Sequence, residues 1–493
     1  MREDSVTRNA GFAFATKMVG AALTAGLTIF LGRQLSASAY GAFAFAISAG
    51  MLLSLFADLS ISASAQRFIG ERRGNLPAVA GVVATTLRLK VVLASATSVA
   101  LFVLAGPLCR TFGIDEATGA TRGIAVSLFS ETLFLFVLAT FVSVARIRFN
   151  TLLAFCESVT EVGASIALVL VGAGATGAAF GRAIGYAVGL ALGLHLLRRL
   201  LGPLWRRGVA RAGAVAGEVP RGHILRYAAP LIAVDVAFRV FESIDVLLVA
   251  SIVGGAEHVA AFQLPMRLAM FLDYPVAAIS QAVAPRLSRG PEGPDLPTFV
   301  RALRLTTMIQ MVFVAPLLVW PETIIHILFG NKYPEAAGVL RALVPFVVLS
   351  GVAQLATVSV NYLGEGRRRV PYAILMVAVN VVIDIVLLGQ IGVVGAAIGT
   401  SVAYAIWVPS HLGILHRHVG LPLRPVIVTT LRALAAAGAM SVVLLVIGTG
   451  RLGTVAVLAG VVLGPLAYVA GLVVSGELRR DDLVTLRRLA MRR

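Results

Sequence analysis

The chain has 493 residues, of which 58% are hydrophobic and only 13% are charged, and its mean hydropathy is +0.91. These values lie far outside the range of soluble globular proteins and predict an all-α polytopic membrane protein. The formal net charge of +18 reflects 42 Lys and Arg residues against 24 Asp and Glu. We attribute this excess to membrane topology and contact with anionic lipids, and we expect no nucleic-acid partner.

The apolar segments are long enough to cross a bilayer many times. A hydrocarbon core of about 30 Å needs about 20 mostly apolar residues per helix. The short polar head leads into a span without a convincing cleavage site, so we expect the first helix to stay uncleaved. The sequence predicts about 14 transmembrane helices, at 10–31, 40–62, 89–108, 123–145, 152–173, 177–197, 228–253, 258–284, 305–329, 339–363, 371–391, 393–415, 428–448 and 452–475.

Basic residues are concentrated on one side of the predicted membrane. If both termini are cytoplasmic, most Lys and Arg residues fall in the head, the even-numbered loops and the tail. Such a bias predicts a multi-pass protein of the cell membrane, the cytoplasmic or inner membrane, in that orientation. In the tail, 477–493, apolar residues recur on one helical face with Arg elsewhere, which predicts an amphipathic helix lying on membrane lipids.

The two halves of the chain repeat one another. A shift of 219 residues aligns the second span with the eighth, and a shift of 218 aligns GAAFGRAIGYA with GAAIGTSVAYA. Each half holds six spans, so the halves form a parallel pseudo-symmetric repeat, an arrangement typical of alternating-access transporters. The predicted domains are an N-terminal lobe at 1–200, a basic cytoplasmic linker at 201–226, a C-terminal lobe at 227–418, two extra helices at 419–476, and the tail.

Four charged residues interrupt the seventh span. Asp235, Arg239 and Glu242 share one helical face and Asp245 lies on its flank. Charges at membrane depth are costly unless they pair or face a wet cavity, so this face is predicted to point into the bundle. Pairing of Arg239 with its helical neighbours would still leave two excess negative charges, which need protons, a metal cation or other Arg residues.

Three Arg residues lie at membrane depth: Arg182, Arg239 and Arg267. A guanidinium matches phosphate oxygens, so these residues are candidate ligands for a phosphate-bearing substrate. The alternative for Arg182 and Arg267 is structural pairing with Asp273, Glu131 or the seventh span. Glu242, Asp245 and Asp273 are accordingly assigned to coupling or structural charge.

Two basic residues and one acid lie near the cytoplasmic ends of spans. Arg146 and Arg148 end the fourth span, where they could catch an incoming phosphate, although inside-positive topology also explains them. Asp58, near the end of the second span, is predicted to pair with Arg67 or Arg88.

Several motifs resemble those of a known transporter family. The runs TIFLGRQLSASAYG, IIHILFGNKYPEAAGVLRALVP and GQIGVVGAAIGTS, in this order and spacing, resemble the Wzx-type polysaccharide flippases of the multidrug/oligosaccharidyl-lipid/polysaccharide exporter superfamily. The resemblance covers essentially the whole chain. One departure is Ser60, where the family usually has Gly after an Asp-Leu pair.

The resemblance implies a fold and a function. It implies a V-shaped pair of lobes that moves a polyprenyl-pyrophosphate-linked oligosaccharide from the cytoplasmic to the outer leaflet by alternating access. Pathway partners would be a polysaccharide polymerase and glycosyltransferases. Because neither a nucleotide motif nor a nucleophile–base pair is found, we expect a secondary transporter without cofactor and not an enzyme. The alternatives are a cation-coupled multidrug antiporter of the same superfamily and a membrane scaffold.

The C-terminal half contains a candidate cation site. Asn380 and Asp384 are one helical turn apart, Thr400 follows the GAAIG run, and Asp235 and the carbonyl of Ala396 complete a set of oxygen ligands. Oxygen ligands suit an alkali cation and not a transition metal. The set resembles the sodium site of sodium-coupled members of the superfamily. Two alternatives stay open: proton binding by Asp235 and Asp384, and simple hydrogen bonding between helices.

Overall fold

A computed structural model of the chain describes residues 6–204, 236–283, 294–363 and 365–478. Throughout these ranges the chain is helical, with short connections. The helices are α1 (Val6–Gln34), α2 (Ala37–Asp58), α3 (Ile61–Glu71), α4 (Leu76–Thr111), α5 (Thr118–Ser143), α6 (Ile147–Leu168), α7 (Gly174–Leu201), α8 (236–248), α9 (Ala256–Phe271), α10 (Tyr274–Val283), α11 (Leu296–Met311), α12 (Val314–Val319), α13 (Pro321–Phe329), α14 (Ala336–Ala342), α15 (Val344–Tyr362), α16 (Val370–Ile391), α17 (Val394–Val419), α18 (Leu423–Ile447) and α19 (Thr454–Val474).

The helical architecture confirms the predicted all-α membrane protein. Within the described ranges, ten helical stretches are long and apolar enough to span a membrane. One of them, Ile147–Leu201, contains two predicted spans, which meet at a break where Gly172 and Gly174 have φ of 91° and 54°. The other three predicted spans overlap α1, α8 with its π-helical continuation, and the broken pair α9 and α10. The count of 14 stays a prediction.

The chain divides into two compact units, Met1–Gln263 and Leu264–Arg493. The predicted lobe boundaries stay a prediction, since residues 205–226 of the linker and 479–493 of the tail lie outside the described residues. In the second unit the extra helices α18 and α19 pack against each other, and α18 also packs against α11. Their outer faces expose apolar side chains such as Val446 and Val474, as expected for lipid contact.

Glycines bring α6 and α7 of the first unit into close contact. A Cβ added to Gly181 would lie 2.4 Å from Ser165, one on Gly185 would lie 2.6 Å from the Cβ of Glu161, and one on Gly189 would lie 3.0 Å from the Cβ of Glu157. These glycines follow one another at four-residue intervals, so they form a single stripe along α7. Small residues of this kind allow helix backbones to approach closely in membranes.

The second predicted span is broken between α2 and α3. Leu59 and Ser60 adopt left-handed backbone angles, with φ of 44° and 54°. This conformation is costly for residues with a Cβ and free for glycine. The break therefore gives a physical reason for the Gly that the resemblance leads one to expect at residue 60, and it shows that the serine carries a conformational cost.

We expect Ser60→Gly to raise the free energy of unfolding by about 0.5–1 kcal/mol, since glycine relieves the left-handed strain of roughly 1–2 kcal/mol but loses more chain entropy. Thermal unfolding in detergent measures the change. The control is Ala63→Gly at an exposed position inside α3, where glycine should destabilise by about 1 kcal/mol. Equal destabilisation by both substitutions would show that residue 60 carries no strain.

Candidate functional site

Four of the five predicted cation ligands come together in the second unit. Asn380 and Asp384 on α16 and Ala396 and Thr400 on α17 are all fully buried. The Nδ2 atom of Asn380 lies 3.4 Å from both carboxylate oxygens of Asp384. The hydroxyl of Thr400 donates a hydrogen bond of 3.0 Å to the carbonyl of Ala396. The arrangement places carboxylate, amide, hydroxyl and carbonyl oxygens on two adjoining helices.

Gly399 makes this arrangement possible. A Cβ at residue 399 would lie 1.9 Å from Oδ1 of Asp384 and 3.2 Å from Nδ2 of Asn380, so only glycine leaves room for the carboxylate. The Oδ1 atom of Asn380 is buried and accepts no hydrogen bond within the described structure. An unsatisfied buried oxygen is costly and is the kind of group that a cation can satisfy. Sequence reasoning missed Gly399, although the GAAIG run contains it.

The remaining predicted ligand, Asp235, lies outside the described residues. Its place in a cation site therefore stays a prediction. Asp384 and Thr400 also make interactions beyond the two bonds given above. A structural role of the cluster between α16 and α17 accordingly remains an alternative to cation binding.

Arg182 is held by carboxylates in the first unit. Its Nη2 lies 3.0 Å from Oε1 of Glu131 on α5, and its Nη1 lies 3.0 Å from Oε1 of Glu161 on α6. Nη2 also donates to the hydroxyl of Tyr186 at 3.2 Å, and the guanidinium lies over the ring of that tyrosine. The pairing with Glu131 that the sequence left open is present. Substrate binding by Arg182 stays a prediction.

The described part of the interrupted seventh span lies in α8. Arg239 donates a hydrogen bond of 2.8 Å to the hydroxyl of Ser54 on α2. Glu242 is exposed, whereas Asp245 is buried with 4% of its surface accessible. The acids of this span thus occupy two different environments.

A buried lysine in the first unit had no predicted role. Lys90 on α4 is 1% exposed and pairs with Asp58, and its ammonium also donates to Ser62 at 2.6 Å. The structure pairs Asp58 with Lys90 across the helix break and Arg67 with Glu71, whereas the sequence suggested Arg67 or Arg88 as partners of Asp58. Only the contact between α2 and α4, which sequence does not give, reveals this ion pair.

The other predicted site residues are dispersed. Asp273, in the break between α9 and α10, accepts hydrogen bonds from Gln310 at 2.6 Å and Ser350 at 2.5 Å. Arg267 is half-buried on α9. Arg146 is half-buried just before α6, and Arg148 is exposed in its first turn. Phosphate binding by Arg267, Arg146 and Arg148 stays a prediction.

Beyond the last span, Glu477 joins three helices of the second unit. It is 2% exposed, lies 2.7 Å from Arg304 of α11 and 3.1 Å from Arg432 of α18, and accepts a hydrogen bond of 2.5 Å from Thr429. Burial acts to raise the pKa of Glu477, but the hydrogen bonds from Thr429, Arg304 and Arg432 outweigh it and lower the pKa below its usual value. The carboxylate therefore stabilises the folded chain while ionised.

We expect Glu477→Gln to reduce the free energy of unfolding by about 2–3 kcal/mol, because charge-assisted bonds to two Arg residues are lost. A lowered folded pKa means that the stabilisation is full above the usual Glu pKa and is lost as pH falls through the folded value. Thermal unfolding against pH measures both effects. Glu71→Gln, at an exposed surface pair, is the control and should change stability by less than about 1 kcal/mol. Equal effects of the two variants would contradict a role for Glu477.

The fold of the chain is similar to those of solved membrane proteins. The fold superposes on that of the lipid II flippase MurJ in an inward closed conformation with a TM-score of 0.74, at 13% sequence identity, over 93% of this chain and 97% of that one. An inward-facing multidrug resistance transporter of the MATE family superposes with a TM-score of 0.68, at 17% identity, over 84% and 98%. Likeness at these identities shows the fold.

A family model described as polysaccharide biosynthesis protein matches residues 6–290, and the chain belongs to this family. This confirms the resemblance to polysaccharide flippases of the exporter superfamily. An uncharacterized membrane protein of Methanocaldococcus jannaschii is 23% identical over 36% of this chain and 42% of its own length. A probable low-salt glycan biosynthesis flippase, Agl15, of Haloferax volcanii is 22% identical over 33% and 36%. The chain thus spans less than half the length of these curated relatives.

Proposed function

We propose that the chain is a secondary transporter that flips a polyprenyl-pyrophosphate-linked oligosaccharide from the cytoplasmic to the outer leaflet by alternating access. The observation that carries this proposal is membership of the polysaccharide biosynthesis family, shown over residues 6–290. The name of the Haloferax volcanii relative, a probable glycan biosynthesis flippase, and the fold shared with a lipid II flippase support it.

Arg residues at membrane depth are the candidate ligands for the pyrophosphate of the substrate. Arg239 is half-buried on α8 and bonded to a neutral serine, and Arg267 is half-buried on α9. A guanidinium is permanently charged and can meet a pyrophosphate without losing a proton. We therefore assign Arg239 to the substrate before Arg182, whose two terminal nitrogens already meet carboxylates. Arg267 is kept as a candidate for the same role from its place in the sequence. Arg146 and Arg148 are candidate first contacts for the phosphate.

An ion gradient is the proposed energy source. Asn380, Asp384, Thr400 and the carbonyl of Ala396, with Asp235, form the candidate sodium site, and proton binding by Asp384 and Asp235 is the alternative. Glu242, Asp245 and Asp273 are assigned to coupling or structural charge. We place the protein in the cytoplasmic membrane with both termini inside, and we expect a polymerase and glycosyltransferases as its pathway partners.

Reconstituted full-length protein tests the proposal. Proteoliposomes receive a fluorescent lipid-linked oligosaccharide, and a membrane-impermeant quencher reports how much crosses to the other leaflet. We expect Arg239→Ala and Arg267→Ala to abolish movement while the corresponding Lys variants keep part of it, with Arg122→Ala at an exposed position as control. Normal flipping by both Ala variants would exclude a role of these residues in pyrophosphate transfer.

A multidrug antiporter is the second candidate, because the MATE transporter shares the fold. The same proteoliposomes loaded with a fluorescent cationic dye distinguish the two. Cation-driven dye export without any movement of the lipid-linked sugar would replace the flippase proposal with this one.

A further inference from the structure

The acidic cluster around Arg182 has more negative charge than the arginine can neutralise. Glu131, Glu157 and Glu161 surround a single guanidinium in the first unit, and Arg182 pairs directly with Glu131 and Glu161. With every group ionised, the cluster would carry two uncompensated negative charges inside an apolar helix bundle. Such charge is expensive to bury and is normally removed by pairing or protonation.

Glu157 is the group that lacks compensation. Only 6% of its surface is accessible, and its Oε1 atom is buried and receives no hydrogen bond within the described structure. Its Oε2 accepts a single hydrogen bond of 3.2 Å, from Ser158. An ionised carboxylate has acceptor sites for several donors, so this environment suits the neutral acid better.

Glu157 also meets a second carboxyl group. Glu161 lies one helical turn further along α6, on the same helical face as Glu157. Two ionised carboxylates can only accept hydrogen bonds, so a bond between them requires a proton on one. Like charges held this close cannot both stay ionised, which is the behaviour of paired carboxyl groups in general.

Helix packing keeps the two carboxyl groups in place. The stripe of glycines on α7 sets its backbone against Glu161 at Gly185 and against Glu157 at Gly189, so the close packing of α6 on α7 places both acids beside Arg182. Charged and titratable neighbours come from α5, which supplies Glu131, and from α7, which supplies Arg182 and Tyr186. The part of α1 from residue 18 to residue 32, which also packs on α6, has no charged side chain.

The ligand that fits this cluster is a proton. Among the described residues no group of three or more His, Cys, Asp or Glu side chains is arranged to hold a metal ion. A proton needs only the two facing carboxyl oxygens. We propose that Glu157 and Glu161 form a proton-binding site in the first unit, with Arg182 and Glu131 as the fixed charges that set its affinity. Binding one proton changes the charge of the cluster from minus two to minus one, whichever substrate the chain carries.

Infrared spectroscopy of the full-length protein in lipid nanodiscs tests this site without any transport assay. At neutral pH we expect a carbonyl stretch from one protonated carboxylic acid, which shifts in deuterated water and disappears at alkaline pH. Glu157→Gln should lose the intensity of one such acid, because Glu161 and Glu131 each keep a direct contact with Arg182 that favours their ionised forms. Glu157→Met is the second variant. The unbranched methionine side chain fits the space of the glutamate, so it serves as the test if the Glu157→Gln variant does not fold.

Two further variants, Glu71→Gln and Glu131→Gln, serve as comparisons for the infrared band. Glu71→Gln at the exposed surface should leave the band unchanged. Glu131→Gln should keep the band but move its titration to lower pH by about one unit or more, since a neighbouring negative charge is gone. A band of wild-type intensity in both Glu157 variants, or an unshifted titration in Glu131→Gln, would overturn the proposal. Loss of the band on adding sodium at constant pH would show an alkali cation in place of the proton.

Discussion

Gly399→Ala is expected to weaken the binding of the proposed coupling cation and so to shift the dependence of flipping on sodium to higher concentration. The added methyl would occupy the space of the Asp384 carboxylate, since the Cβ would lie 1.9 Å from Oδ1. Displacing one oxygen ligand and its neighbours should weaken cation affinity by about 10–100-fold. Initial flipping rates at increasing sodium concentration, with the proton gradient held constant, measure this loss.

A matched control lies on the adjoining helix. Gly389 of α16 is exposed, and a Cβ there would meet no atom within 4 Å, so Gly389→Ala should transport normally. Asp384→Asn keeps the shape of the side chain but removes its charge, and it should shift the sodium dependence to higher concentration as Gly399→Ala does. Unchanged rates in sodium-free buffer, for the wild type as for all three variants, would eliminate obligatory sodium coupling and favour the proton or the structural alternative.

Arg182→Ala is expected to cause the largest loss of stability. The substitution leaves Glu131 and Glu161 without their cation and Glu157 beside them, and removing one partner of a buried ion pair costs about 3–5 kcal/mol. Arg182→Lys should keep part of the stability, because one ammonium can replace one of the two contacts. Thermal unfolding in detergent measures both variants, with Arg122→Ala at an exposed position as control.

A compensated variant separates structure from substrate binding. Combining Arg182→Ala with Glu131→Gln and Glu161→Gln removes the uncompensated charge and should recover much of the stability. If Arg182 only neutralises its neighbours, this triple variant folds and still exports glycan. If Arg182 binds pyrophosphate, the triple variant folds and exports none, whereas the double variant Glu131→Gln with Glu161→Gln, which keeps Arg182, still exports. Failure of the triple variant to recover stability would contradict the electrostatic account of the cluster.

The class of protein and most helices could be predicted from the sequence, because apolar segments of membrane length are a strong signal. The cation candidates Asn380 and Asp384 were accessible for a related reason: helical spacing places them on one face. Helix breaks were harder to predict. Nothing in the composition marks Leu59 and Ser60 as left-handed, and only resemblance to a family with Gly drew attention to residue 60.

The ion pairs that could not be predicted from the sequence are those formed between different helices. The partner of Asp58 proved to be Lys90, although basic residues closer in sequence were available. Glu157 and Glu161 were missed although both lie inside the predicted span 152–173, because their position beside Arg182 depends on the packing of α6 on α7. Spacing along one helix is encoded locally, whereas such pairings depend on which helices adjoin.

The buried ion pair between Lys90 and Asp58 has a consequence for membrane insertion during synthesis. Lys90 is 1% exposed on a helix that follows α2 by only a short segment, and the two partners are 32 residues apart. A lysine that enters lipid alone costs about 2.5–3.5 kcal/mol at the centre of a span and less near its end, where Lys90 lies, and pairing with an acid reduces this cost. The nascent α2 must therefore remain beside the insertion channel until α4 has emerged, so that the two helices enter the bilayer as a pair.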